Sequence, residues 1–406
     1  MENFKLETNE KYIIGVSGGP DSMALLNMCR EQGIRVIVVH MNYQKRESAQ
    51  RDMDLVQAYC ERNDIPFECR KQNKVCKGNF QAFAREERYA FYKEILEKYQ
   101  AKGVLLAHHL DDHLETYLMQ KQRHSIGEYL GIQEETRIMG CLIIRVLLDK
   151  TKAELEAYCY EKSVPFGVDE SNLSNDYTRN KIRHTIIDQM SMKEKQVLKA
   201  KIEEENAALK VQREGAKRFL ESWDSSIADL QKLSLDKLEQ VLVQYIKREC
   251  NCYLSYAQIK ELRELILHSA HKWTKDIKTT YDIYSEYGKL CIDTKAKISY
   301  AYTYDKVEVT QTPYFAISLT GDSTSALSLQ SSDYPITIRN VRENDEIRLR
   351  FGKKKINRWF IDRKIPKKER KSWPVVVNAV GNVILVPKIG CDIEHFSNNP
   401  TLFVLK

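Results

Sequence analysis

Ser17-Gly18-Gly19-Pro20-Asp21-Ser22 is the stretch on which the fold turns. An apolar run precedes it at 12–16 (Tyr-Ile-Ile-Gly-Val), and a helical pattern follows at 23–28 (Met-Ala-Leu-Leu-Asn-Met). A strand, a glycine turn and a helix in that order aim backbone N–H groups at an anion. Adjacent glycines can take positive φ and let a phosphate approach the main chain. The helix beginning near Asp21 adds the positive end of its dipole, and Pro20 suits a first-turn position because its missing N–H costs nothing there. The common nucleotide P-loop is excluded, because no Lys followed by Ser or Thr comes after the second glycine; G-x-G-x-x-G is absent too. Asp21 instead sets a carboxylate beside the phosphates, which calls for a cation between them, Mg²⁺ by preference. At this point an ordinary βα corner with a capping serine explains the stretch equally well.

Working outward, 11–107 alternates strand-like and helical patterns. Apolar runs stand at 12–16, 35–40 (Arg-Val-Ile-Val-Val-His) and 103–107 (Gly-Val-Leu-Leu-Ala), with helical stretches at 22–32, 47–63 and 79–98. Near-continuous β-branched strands separated by amphipathic helices predict βαβ units and a doubly wound, mostly parallel α/β sheet. The glycine turn and His40 then fall at the carboxyl edge of that sheet, where open α/β sheets bind ligands. A second constellation follows the third run: His108-His109-Leu110-Asp111-Asp112-His113-Leu114-Glu115-Thr116. A helix starting near Leu110 would put Asp112 and Glu115 on one face. Two other readings compete. His109 and His113 are spaced as a metal pair, although the usual Glu between such histidines is missing, and Asp111 or Asp112 can serve simply as a helix cap.

Length and charge bound the rest. A chain of 406 residues predicts two or three domains, and no apolar run approaches the ~20 residues that span a membrane. The start, Met1-Glu2-Asn3-Phe4-Lys5, lacks an apolar signal region, so a cytoplasmic protein is expected. Ten cysteines form no C-x-x-C, and Cys250 and Cys252 suit neither zinc nor redox spacing, so they read as buried small hydrophobes. Of the overall charge of +7, an excess of ten lies between Arg348 and Lys371, where twelve Lys and Arg meet only Asp362 and Glu369. A run this concentrated points to a polyanion partner, the alternative being a solvated face. From about 192 to 269 the pattern is helical, and after Trp273 it turns to short β-type runs.

These pieces, in this order, resemble the PP-loop ATP pyrophosphatase superfamily and, within it, the tRNA(Ile)-lysidine synthetase family. The resemblance spans nearly the whole chain. It is carried by 17–22, by His40-Met41-Asn42, by 81–89 (Gln-Ala-Phe-Ala-Arg-Glu-Glu-Arg-Tyr) and by the 108–116 segment. It continues through Asp169-Glu170-Ser171-Asn172 with Arg179-Asn180-Lys181-Ile182-Arg183, and through 355–362 with Ile365-Pro366, Arg370 and Trp373-Pro374. The glycine turn marks the superfamily alone; the last two pieces, 169–172 with 179–183 and the C-terminal one, are much more specific. The resemblance implies a PP-loop domain at 1–190, a helical tRNA-contacting domain at 191–295 and a small, mostly β, basic tRNA-binding domain at 296–406. It implies ligation of free lysine to the wobble cytidine of a CAU-anticodon isoleucine tRNA, with ATP split to AMP and pyrophosphate. Ser17, Gly18, Gly19, Pro20, Asp21, Ser22 and His40 would hold ATP, with Asp21 on Mg²⁺. Asp21, Arg85, His108, Asp112 and Glu115 would form the catalytic group, the acidic pair binding the lysine amine. Asn172, Arg179, Asn180, Arg183, Lys353, Lys354, Lys355, Arg358 and Arg370 would contact tRNA. A homodimer is compatible with this reading. The chain departs from the family at His113, where Gln is usual, at Val146, where Pro is usual, and in 120–131, where many members carry an Arg-Gly-rich stretch. The alternatives are a PP-loop tRNA thiolase, against which the missing C-x-x-C argues, a small-molecule PP-loop synthetase, which would not need the basic module, and a non-catalytic tRNA-binding protein.

Overall fold

The computed structural model describes residues 3–44, 48–72, 79–124, 127–167, 177–269, 272–350 and 352–406. They form two compact units, Met1–Gly215 and Ala216–Lys406. In the first unit the order is β1 (Lys11–Gly15), α1 (Pro20–Glu31), β2 (Arg35–Asn42), α2 (Ser48–Arg62), β3 (Phe67–Lys71), α3 (Phe80–Tyr99), β4 (Gly103–Leu105) and α4 (Leu110–Gln122). The hairpin β5 (Glu135–Ile138) and β6 (Cys141–Ile144) follows, then α5 (Lys152–Glu161), α6 (Tyr177–Thr185) and the long α7 (Met192–Ser222), which runs on past the end of the unit.

The sheet order is β3-β2-β1-β4-β6-β5, parallel except for the edge strand β5. The chain winds outward from β1 to β3 and then returns to place β4 on the other side of β1. The order in which strands are added therefore reverses between β1 and β4, themselves parallel, which is where a doubly wound sheet opens a crevice for a ligand. Both sequence constellations leave the sheet at that point.

Both faces of the sheet are covered, which explains the unbroken apolar runs. Ile14, Val38 and Leu105 face α1, α2 and α5, while their neighbours Ile13, Ile37, Val39 and Val104 face Tyr89, Phe91, Tyr92 and Ile95 of α3. Period-two alternation thus sends apolar side chains both ways. Helix α1 is buried without a break from Ser22 to Cys29, so it carries little amphipathic signal. Within it the buried Asn27 donates to Tyr158 Oη at 2.6 Å and accepts from Tyr59 Oη at 2.6 Å. These bonds satisfy three buried polar groups, each of which would cost about 1–3 kcal/mol if left unpaired.

In the second unit, α8 (Ile227–Gln231), α9 (Leu235–Cys250) and α10 (Tyr256–His268) precede an antiparallel meander of β7 (Thr274–Ile277), β8 (Tyr281–Glu286) and β9 (Lys289–Thr294). The C-terminal part packs a seven-stranded against a four-stranded sheet around Phe315, Ile338, Val376, Leu385 and Val404. The basic run contributes the strand Gly352–Lys355 and the helices Ile356–Asp362 and Lys367–Arg370.

Candidate active site

The glycine turn joins β1 to α1, with Gly19 as N-cap and Pro20 as the first helical residue. Gly18 has φ +94°, and a Cβ there would lie 3.1 Å from Cβ of Asp52, so both backbone conformation and space require glycine. Ser22 folds back into the turn: its hydroxyl donates to the Gly19 carbonyl at 3.0 Å and accepts from the Ser17 N–H at 3.2 Å. The Ser17 hydroxyl in turn accepts from Gly19 N–H at 3.4 Å. The two serines therefore shape the turn. His40, buried at the end of β2, lies with Nδ1 2.9 Å from the Val16 carbonyl and braces the same turn from the neighbouring strand. Burial pushes the His40 pKa down despite that bond, so the ring braces the turn as a neutral imidazole.

A cavity of about 380 Å³ opens beside the turn, within the range of small-molecule sites. Ser17, Gly19, Asp21 and Ser22 form one wall; Met41, Tyr43, Arg88 and His108 are among the others. Oδ1 of Asp21 is buried with no hydrogen-bond partner among the described residues. Burial raises the Asp21 pKa, His109 opposes the shift and Asp112 adds to it. A desolvated, unpartnered carboxylate oxygen at the mouth of this glycine turn fits a hard divalent cation. Among the described residues no group of three or more His, Cys, Asp or Glu could hold a metal unaided, so such an ion would draw its other ligands from phosphates and water.

The second constellation starts α4 with His109 as N-cap. The adjacent aspartates divide the work. Asp111 accepts from the N–H of Lys152, the first residue of α5, at 2.8 Å and pairs with Lys195 of α7 at 2.6 Å. Asp112 accepts from the His109 N–H at 3.2 Å and turns its other oxygen to Arg183 of α6, 2.6 Å away. The same guanidinium donates through Nε to Glu115 at 3.0 Å. Asp112, Glu115 and Arg183 thus form one cluster, with Glu115 fully buried. Burial alone would raise the Asp112 pKa, but His109 and Arg183 outweigh it and hold the carboxyl below its usual range.

The remaining site residues fall out as follows. His108 lines the cavity and its Nδ1 accepts from Arg145 Nε at 3.2 Å. Arg85 is exposed on α3 with its guanidinium 5.1 Å from the Tyr89 ring, whereas Arg88, one turn on, lines the cavity and donates to Tyr43 Oη at 3.3 Å. Arg183 lies in the acidic cluster, a partnership the sequence did not suggest. Asn172 lies outside the described residues, and for Arg179 and Asn180 only the backbone, in α6, is described. His113 does not join His109 as a metal pair. Its Nδ1 accepts from the Ile132 N–H at 2.9 Å, and the ring packs so closely on Gly131 that no Cβ fits there. The residue that departs from the family pattern therefore packs against the end of the divergent 120–131 stretch, at Gly131. In the second unit Lys353, Lys355 and Arg358 are exposed and Lys354 pairs with Asp362 at 2.9 Å. Arg370 is turned inward, donating to the Ile365 carbonyl at 2.7 Å and Tyr287 Oη at 3.0 Å, 3.5 Å from Glu286.

Known proteins match this arrangement along its length. A family model described as the PP-loop domain matches residues 1–190, and one described as the TilS substrate C-terminal domain matches 336–403. The tRNA(Ile)-lysidine synthase of Bacillus licheniformis is 30% identical over 92% of this chain and 88% of its own length. The chain belongs to the tRNA(Ile)-lysidine synthase family. The Bacillus subtilis member is 29% identical over 92% of this chain and 89% of its own, and that of Mycoplasma mycoides subsp. mycoides SC is 29% identical over 95% and 98%. In this lysidine-synthase site the sequence assigned Arg88 no role of its own and His109 only a place in a candidate metal pair with His113. Arg88 stands one turn beyond Arg85 in the 81–89 segment, and choosing between them needs the sheet order that decides which side of α3 faces the crevice.

Proposed function

We propose that this chain joins free lysine to carbon 2 of the wobble cytidine of CAU-anticodon isoleucine tRNA, giving lysidine, AMP and pyrophosphate. One observation carries the reading beyond family membership: the nucleotide turn and the acidic cluster meet at the same sheet edge, with His109 3.7 Å from Asp21 and 3.3 Å from Asp112. Oxygen on carbon 2 of cytosine is a poor leaving group. Its attack on the α-phosphorus of ATP expels pyrophosphate and leaves it attached to AMP. The lysine side-chain amine then adds to carbon 2, AMP departs with that oxygen, and the amine gives up its protons. The turn holds the pyrophosphate end, and Asp21 would hold Mg²⁺, which when bound supplies positive charge against the phosphates. Arg88 and His108 face the same cavity and are placed to contact the nucleotide or the flipped base. Asp112 and Glu115 with Arg183 carry a net charge of −1, which matches one ammonium. An amine of pKa near 10.4 costs about 4.6 kcal/mol to deprotonate at pH 7, so a carboxylate that binds it and takes up a proton contributes directly. Arg183 stays protonated throughout: against burial, which alone would lower its pKa, Asp112 and Glu115 raise it further.

The catalytic part is 1–190, the helical part 191–295 and the basic part 296–406 would hold the tRNA, and a homodimer is compatible with this reading. Among the described residues no helix is long and apolar enough to cross a membrane. A cytoplasmic site of action follows from the tRNA and ATP it would use. Labelled lysine incubated with unmodified CAU isoleucine tRNA, ATP and Mg²⁺ should enter the tRNA, and absence of label with folded protein and competent transcript would overturn the proposal.

The basic hairpin gives a second expectation. Lys353 and Lys355 are exposed on it, while Lys354 is paired with Asp362 and Arg348, opposite Lys353, with Glu394. Replacing Lys353, Lys354 and Lys355 with Ala should weaken tRNA binding and lower the slope of log affinity against log salt by about 0.9 for each phosphate no longer neutralised. An unchanged slope would make the run a solvated surface.

A further inference from the structure

We propose that His109 is a positioning residue that keeps the nucleotide half and the amine half of this site in register. The inference rests on the lysidine reading and adds a role to a side chain outside the catalytic group expected from the sequence. His109 is 2% exposed, and its backbone is fixed twice, by a β-bridge to Leu147 and by donation of its N–H to Asp112. Three carboxylates surround the ring. Nε2 lies 3.3 Å from Asp112 Oδ2 and 3.7 Å from Asp21 Oδ2, while Nδ1 is 3.8 Å from Asp111 Oδ2 and has no hydrogen-bond partner among the described residues.

Two of those carboxylates belong to different halves of the chemistry. Asp21 starts α1 beside the phosphate turn; Asp112 sits in the first turn of α4 with Glu115 and Arg183. Held this close with little water, they repel one another unless a donor stands between them. A single N–H at Nε2 can serve one carboxylate well at a time, and the unequal distances place it nearer Asp112. When a nucleotide engages Asp21, the donor is left wholly to Asp112 and fixes the orientation of the carboxylate that receives the amine. Filling the first half therefore completes the second. Arg183 cannot substitute, because it approaches Asp112 from the other oxygen.

The experiment separates the two stages. Adenylated tRNA is formed from α-labelled ATP without lysine, then discharged with a series of lysine concentrations, using the full-length wild-type protein, His109→Ala, His109→Gln and His109→Asn. His109→Ala should raise the half-saturating lysine concentration about tenfold, with a smaller change in the maximal discharge rate, because the ring nitrogen 3.3 Å from Asp112 is lost. His109→Gln, whose amide N–H reaches the position of Nε2, should recover to within about threefold of wild type. His109→Asn, too short to reach, should behave as Ala. A purely packing role predicts no such split between Gln and Asn. Gln and Asn equally defective, or Ala within twofold of wild type in both stages, would overturn the proposal. Should Ala fail to fold, the Gln and Asn comparison decides alone. Wild-type protein that forms the adenylate but transfers no lysine would instead overturn the functional reading.

Discussion

Asp21→Ala is expected to abolish pyrophosphate release while leaving tRNA affinity within about twofold of wild type. Removing a preorganised charged group at a phosphoryl-transfer site typically costs 10²–10³-fold, about 3–4 kcal/mol of transition-state stabilisation. The sign of the accompanying stability change makes the test sharp. The Asp21 pKa is raised by burial, so its protonated form fits the fold better than its ionised form. The favourable contribution is complete below the unfolded-state pKa and is lost as pH rises through the raised folded value, so at neutral pH the carboxylate is a liability to the fold. The alanine variant should therefore melt at the same temperature as wild type or higher, with catalysis gone. Equal loss of tRNA binding, or a lowered melting temperature, would make Asp21 a structural residue. Pyrophosphate release by a labelled-phosphate assay and tRNA retention on filters measure the two quantities.

Glu115→Gln should fail at the later step. Adenylated tRNA should accumulate, and its discharge by lysine should fall by about 10²–10³-fold, because the variant loses half of the seat for the ammonium and one of its two proton acceptors. This side chain is fully buried and receives Nε of Arg183 at 3.0 Å. Removing one partner of a buried pair typically costs 3–5 kcal/mol, and retention of Asp112 at 2.6 Å and the partial exposure of Arg183 bring the expected loss to about 2 kcal/mol. Asp21→Ala and Glu115→Gln thus predict opposite contents of adenylated tRNA and opposite shifts in stability. Accumulation of unreacted ATP with Glu115→Gln would remove Glu115 from the amine site.

Much of this was legible in the sequence because local and long-range preferences agree. The glycine turn, the β-branched strands and the 3.6-residue pattern of 256–268 each specify one structure, and Tyr256–His268 is the observed helix. What was missed lacked that agreement. Strand β3, Phe-Glu-Cys-Arg-Lys, is an edge strand whose charged residues look like loop, and β6 is four residues long. The acidic pair was visible from its i,i+3 spacing, but its partner Arg183 is 68 residues from Glu115 in sequence and its contact depends on how α6 packs against α4. Asp111 and Asp112 are indistinguishable as letters. Only the placement of α5 and α7 against one and α6 against the other separates the carboxylate that ties helices together from the one that shares Arg183 with Glu115.

The inward turn of the basic run bears on how the molecule searches. Among the described residues, four of its twelve cations have carboxylate partners: Arg348 with Glu394, Lys354 with Asp362, Arg370 with Glu286, and Lys371 with Asp293. Glu286 and Asp293 come from the meander and sit almost wholly out of water, so salt screens those pairs little. An RNA that brushes this face meets a field weaker than the letters suggest. Each cation withheld from a phosphate takes about 0.9 from the salt slope of indiscriminate binding. An enzyme that must find one tRNA among many gains from that restraint: wrong molecules leave quickly, and residence time is reserved for the RNA whose anticodon reaches the catalytic crevice.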